Sequence, residues 1–159
     1  MEIINNIFHK KKFLVVFLFS AIFLVVFFFH NSYLSDHKTT DITAVKIGGV
    51  KVLVDVAITK EEHNMGLSFR TSLSENQGML FVFEYPDTYG FWMKDMNFPI
   101  DMIWISEDKK IVSIRENALP ESYPESYSPK DKSKYVLEVA AGFSDKNNLK
   151  EGDQVTFTY

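Results

Sequence analysis

Residues 78–105, GMLFVFEYPDTYGFWMKDMNFPIDMIWI, decide how this chain folds. Gly78 leads into the apolar run MLFVF, and EYPDTY is a loop. GFWMK is a second extended run, and DMNFP bends where Pro99 forbids the α region to its predecessor. IDMIWI alternates less cleanly than a strand with one wet face, which places it at the centre of a sheet. Lys94, Asp95, Asn97 and Asp101 are set tightly among Phe91, Trp92, Met93, Phe98 and Trp104. Charges in such company are paired, exposed at a rim, or used.

Outward from this stretch the pattern continues. Upstream, ITAVKI and VKVLVDVA flank Gly48-Gly49, a hairpin signal. Thr59-Lys60-Glu61-Glu62 fits a capping box and starts a short helix reaching about Leu67. TSLSENQG is a turn cluster. Downstream, SEDKK turns the chain into the strand IVSIREN. Ala118 to Lys134, with three prolines, is the longest irregular segment, a length associated with function or disorder. YVLEVAAG is another strand, Ser144 to Lys150 makes a second short helix, and QVTFTY closes the chain. The expectation is a mainly β fold: a compact antiparallel sandwich or barrel with one or two short helices.

An apolar segment precedes this body. Phe13–Phe29 carries no charge, and Ser20 is its only polar side chain. As a helix, about 17 residues at about 1.5 Å each reach roughly 26 Å, near the lower limit for crossing a hydrocarbon core. Its exit, FFFHNSYLSD, has bulky residues where a signal peptidase needs small ones, which favours an uncleaved signal anchor over a cleaved signal. A soluble helix this apolar on every face would need a much larger protein around it. Of 17 Lys+Arg and 21 Asp+Glu, three lysines and Glu2 lie in the first twelve residues, leaving 14 against 20, about −6, beyond them. The basic leading flank predicts a cytoplasmic tail at 1–12, a transmembrane anchor at 13–30, a tether at 31–41 and a single extracytoplasmic domain at 42–159. The expected location is the cell (inner) membrane, single-pass, with the C-terminal domain outside the cytoplasm. An acidic body lacks the basic stripe that nucleic acid requires. Without cysteine, no disulfide holds the fold.

EEHNMGLSFRTSL, GMLFVF, FWMKDMNFPIDMIWI, YVLEVAAG and EGDQV, in that order, resemble the bacterial and archaeal "domain of unknown function 192" family, from about Val50 to Val155. The FWMK…PIDM block is the specific part. The resemblance implies a compact, mainly β domain of barrel or sandwich shape, often exported behind a signal or lipid anchor. The family's usual WMKNT reads Trp92-Met93-Lys94-Asp95-Met96 here, so an amide has become a carboxylate and a hydroxyl a thioether. The cysteine that some relatives carry after Pro120 is missing, so thiol chemistry does not carry over.

Five residues are candidates for a ligand site: Arg70, Trp92, Lys94, Asp95 and Asp101. Arg70, which the family pattern also contains, either grips an anionic ligand or forms a partly buried salt bridge with Asp101 or Glu138. On a strand, Trp92 and Lys94 share one face, as a stacking platform with its cation or as a core ring under a snorkelling stem. Asp95 and Asp101 are the nearest approach to an acid–base pair. His9, His30, His37 and His63 have no partner at metal-ligand spacing, so no metal or cofactor is expected. A nucleophile with its base is also missing, which argues against an enzyme. The expected function is a membrane-tethered accessory domain that binds a small molecule or peptide. The alternative is a hydrolase-like enzyme acting on an envelope polymer, with Asp95 and Asp101 as acid and base.

Overall fold

A computed structural model describes residues 22–24 and 41–159 of the chain. The expected anchor at 13–30 lies outside the described residues except for Ile22, Phe23 and Leu24, which are helical and exposed. Among the described residues, no helix is long and apolar enough to cross a membrane. Residues from Thr40 to Tyr159 form one compact unit.

The first hairpin forms as its glycines dictate. Strand β1 (Ala44–Ile47) pairs antiparallel with β2 (Val50–Ala57). Gly48 and Gly49 sit at φ 57° and 80°, the two left-handed positions that a two-residue turn of this hand needs. Helix α1 (Lys60–Met65) follows, closed by the expected capping box. The Glu62 backbone N–H donates to Thr59 Oγ1 at 3.2 Å, and Glu62 Oε2 accepts from the Thr59 N–H at 2.8 Å.

This helix brings one parallel pair into the expected antiparallel arrangement. Residues 58–76 carry the chain back across the sheet, so β3 (Gln77–Asp87) lies parallel to β2, with Val54 opposite Gly78 and Ala57 opposite Phe81. The remaining strands are β4 (Phe91–Trp92), β5 (Ile100–Ile105), β6 (Ile111–Ala118), β7 (Ser126–Tyr127), β8 (Ser133–Ala140) and β9 (Thr156–Thr158), with helix α2 (Phe143–Lys146) between the last two. Seven strands make one sheet, ordered β6-β5-β8-β3-β2-β1-β9, in which every other pair is antiparallel. A sandwich would need a second sheet of comparable size. Here a bridge between Lys110 and Gln154, and the Val155 N–H donating to the Lys109 carbonyl at 2.8 Å, draw the two ends of the sheet order together. The sheet curls into a half-barrel.

β5 is central, and all six of its residues are buried. Ile103 and Ile105 join Leu80, Leu137, Val139, Val45, Ile47 and Val52 in one core. Ile100, Met102 and Trp104 join Met79, Phe81, Val136, Leu67 and Met93 in a second, on the opposite face. Each fully buried side chain of this size contributes roughly 1.5–3 kcal/mol relative to exposure. The irregular segment after Ala118 is ordered: it makes a 3₁₀ turn at Pro120–Ser122, then β7, which pairs with β4 as a separate two-stranded ribbon. That ribbon and the chain leaving α1 cover the second core, and a cleft opens between them.

Candidate ligand-binding cleft

The cleft has a volume of about 190 Å³. One wall is α1 and its exit, from His63 to Ser68; the other runs from Tyr89 to Trp92, with Lys94 and Met96 beyond; Phe81, Phe83 and Glu138 belong to the sheet below. The aromatic rings brace one another. Phe83 and Tyr89 stack at 3.5 Å, His63 lies 4.5 Å from Phe83, and Phe91 meets Phe81 edge-on at 4.8 Å. His63 Nε2 lies 3.0 Å from the Ala57 carbonyl, which can only accept, so this nitrogen carries the hydrogen.

Glu138 is the unusual member. On β8 it sits opposite Met79 on one side and Met102 on the other, on the same face as Val136. It is 4% exposed, and among the described residues its Oε2 has no hydrogen-bond partner. Burial pushes its pKa up to about 8, while the Arg70 guanidinium pulls the other way. The carboxyl is therefore predominantly neutral at pH 7. Gly66 passes beside it: at φ 50°, a conformation suited to glycine, an added Cβ would stand at ordinary contact distance, 3.4 Å from Phe81 Cζ and 4.0 Å from Glu138 Oε2.

The five residues singled out from sequence are divided by the structure. Trp92 and Lys94 line the cleft. Trp92 is 53% exposed and meets Tyr123 edge-on at 5.9 Å, while Met93 between them is buried. Lys94 is exposed, and its carbonyl accepts from Ser68 Oγ at 2.9 Å, fastening this rim to the exit of α1. Asp95 is exposed at φ 56°, and its carbonyl accepts from the Phe69 N–H at 2.9 Å. Its part in the structure is this second fastening, and it does not line the cleft.

Arg70 pairs with neither Asp101 nor Glu138, as the sequence had suggested, but with Asp55, Nη2 to Oδ2 at 2.8 Å. The side chains are 38% and 64% exposed, and a pair so wet is worth no more than about 1 kcal/mol. Asp101 is fully buried, and its carboxylate is a staple. Oδ1 accepts from the N–H groups of Asn117 at 2.9 Å and Gly142 at 3.2 Å, and Oδ2 accepts from Ser144 at 2.8 Å. It ties the end of β6 and the start of α2 to β5. Asp95 and Asp101 therefore share no cleft in which to act as acid and base. Among the described residues, no group of three or more His, Asp or Glu could hold a metal ion.

Comparison with known proteins agrees with this architecture. A protein of unknown function from Novosphingobium aromaticivorans DSM 12444 superposes with a TM-score of 0.69 at 29% identity, covering 76% of this chain and 89% of that one. A putative transcription regulator from Sinorhizobium meliloti 1021 superposes at 0.67 and 28% identity, covering 72% and 92%. No curated protein matches the chain. The profile of the DUF192 family, described as "Uncharacterized ACR", matches residues 43–157, which take in both walls of the cleft and its buried glutamate: the chain belongs to the DUF192 family.

Proposed function

We propose that this protein is a membrane-tethered binding module whose cleft over Glu138 takes a small ligand outside the cytoplasm. The observation that carries the reading is the buried Glu138 carboxyl, whose Oε2 has no hydrogen-bond partner among the described residues, beneath a ring-lined opening. A buried polar atom without a partner is destabilising by about 1–3 kcal/mol, and a ligand that supplies the partner recovers that loss on binding. Trp92 and Lys94 at the rim add an aromatic surface and a positive charge. The apolar run Phe13–Phe29 behind a lysine cluster, followed by an acidic body, supports the tether and the extracytoplasmic placement.

The test uses membranes from cells expressing the full chain, washed in alkaline carbonate and heated with a panel of small organic compounds. The protein is expected to stay with the membranes. A binder at a hundred times its Kd is expected to stabilise it by about 2.7 kcal/mol, with Trp92→Ala and Lys94→Ala folded but much less responsive. Release by carbonate would refute the tether. Equal responses from wild type and both variants would place binding elsewhere.

A further inference from the structure

Resting on that reading of the cleft, we propose that its ligand is a small zwitterion, with a primary ammonium seated on the Glu138 carboxyl, an apolar body against the rings, and a carboxylate at the rim facing Lys94. Three features of the cleft lead there. First, Glu138 is the one acidic residue among its lining residues, and the Oε2 that lacks a partner belongs to it. Second, the lining around it includes the rings of Phe81, Phe83, Phe91 and Trp92, and aromatic faces attract ammonium groups most strongly where water is displaced. Third, of the two basic residues of the lining, His63 is held by the Ala57 carbonyl, and Lys94 is exposed at the rim instead of being drawn down to the glutamate. A simple cation would feel repulsion from Lys94, and a simple anion would leave the buried Glu138 Oε2 without a hydrogen-bond donor. A zwitterion satisfies both.

The chemistry is a proton displacement. In the free protein, Glu138 holds its proton. Binding of R–NH₃⁺ turns the carboxyl into a carboxylate paired with the ammonium, and the displaced proton leaves to solvent. Both charges then gain a partner of short, charge-assisted geometry in a place where neither is stable alone.

The experiment is calorimetric titration of the full-length protein in detergent at pH 6.5, in two buffers of different ionisation enthalpy. The probes are 4-(aminomethyl)benzoate, its neutral analogue 4-(hydroxymethyl)benzoate, and benzylamine. The aminomethyl compound is expected to bind at least about tenfold tighter than the hydroxymethyl one, releasing close to one proton. Glu138→Gln is expected to abolish proton release and most of that preference, while leaving the hydroxymethyl compound's affinity within a few-fold. Lys94→Ala is expected to weaken 4-(aminomethyl)benzoate several-fold but not benzylamine. If the hydroxymethyl compound binds as tightly as the aminomethyl one, or if binding releases no proton, the ammonium assignment is wrong and the cleft remains a binding site. Failure of all three probes to bind overturns both the assignment and the reading of the cleft on which it rests.

Discussion

Replacing Glu138 by Gln is expected to make the body of this protein more stable at alkaline pH, an unusual outcome for a change to a buried, central residue. The folded carboxyl titrates near 8 against an ordinary value of 4.5. Between those limits the folded protein holds a proton that the unfolded chain has lost, so stability falls as pH rises. The contribution is fully present below about 4.5 and is exhausted once pH passes about 8. The gap corresponds to at most roughly 5 kcal/mol. Glutamine has nearly the same shape and stays neutral, so its profile lacks this slope. Urea unfolding at pH 5, 7 and 9 is expected to give similar stabilities at pH 5 and a clear advantage for Glu138→Gln at pH 9. Parallel profiles would mean that Glu138 is hydrated and ordinary.

Asp101→Ala is expected to act in the opposite direction, with a loss of about 3–5 kcal/mol. Three backbone N–H groups, the part-buried ones of Asn117 and Gly142 and the buried one of Ser144, lose their acceptor together. The end of β6 and the start of α2 are freed at once, so the effect should appear as global destabilisation in chemical denaturation. A change within about 1 kcal/mol would show that water replaces the carboxylate without difficulty.

These two acidic residues show where the sequence is legible and where it is not. Short-range signals translate directly: Gly48-Gly49 gives the hairpin, Thr59 with Glu62 gives the cap, and IDMIWI gives a strand buried on both faces. The parallel β2–β3 pair is less visible, because a six-residue helix is a weak signal for a crossover. Asp101 and Glu138 each interrupt an apolar strand. In VLEVA, the residues two places either side of Glu138 are Val136 and Ala140, so the charge had to lie on a buried face. What separates the two is supplied from afar. The donors to Asp101 come from 16, 41 and 43 residues away, while Glu138 Oε2 receives none among the described residues. Such a difference is set by tertiary packing. Trp92 and Lys94 both line the cleft, but β4 ends at Trp92 and Lys94 lies in the turn beyond it, so the strand alternation read from the sequence does not reach Lys94.

The central claim is that a neutral, buried carboxyl lies at the bottom of this cleft. Its most direct test is a pH titration of the Glu138 side-chain carboxyl carbon by ¹³C NMR in the free protein, assigned by comparison with Glu138→Gln. A midpoint near 8 is expected. A midpoint near the ordinary 4.5 would contradict it, since a carboxyl that ionises there is already solvated or paired.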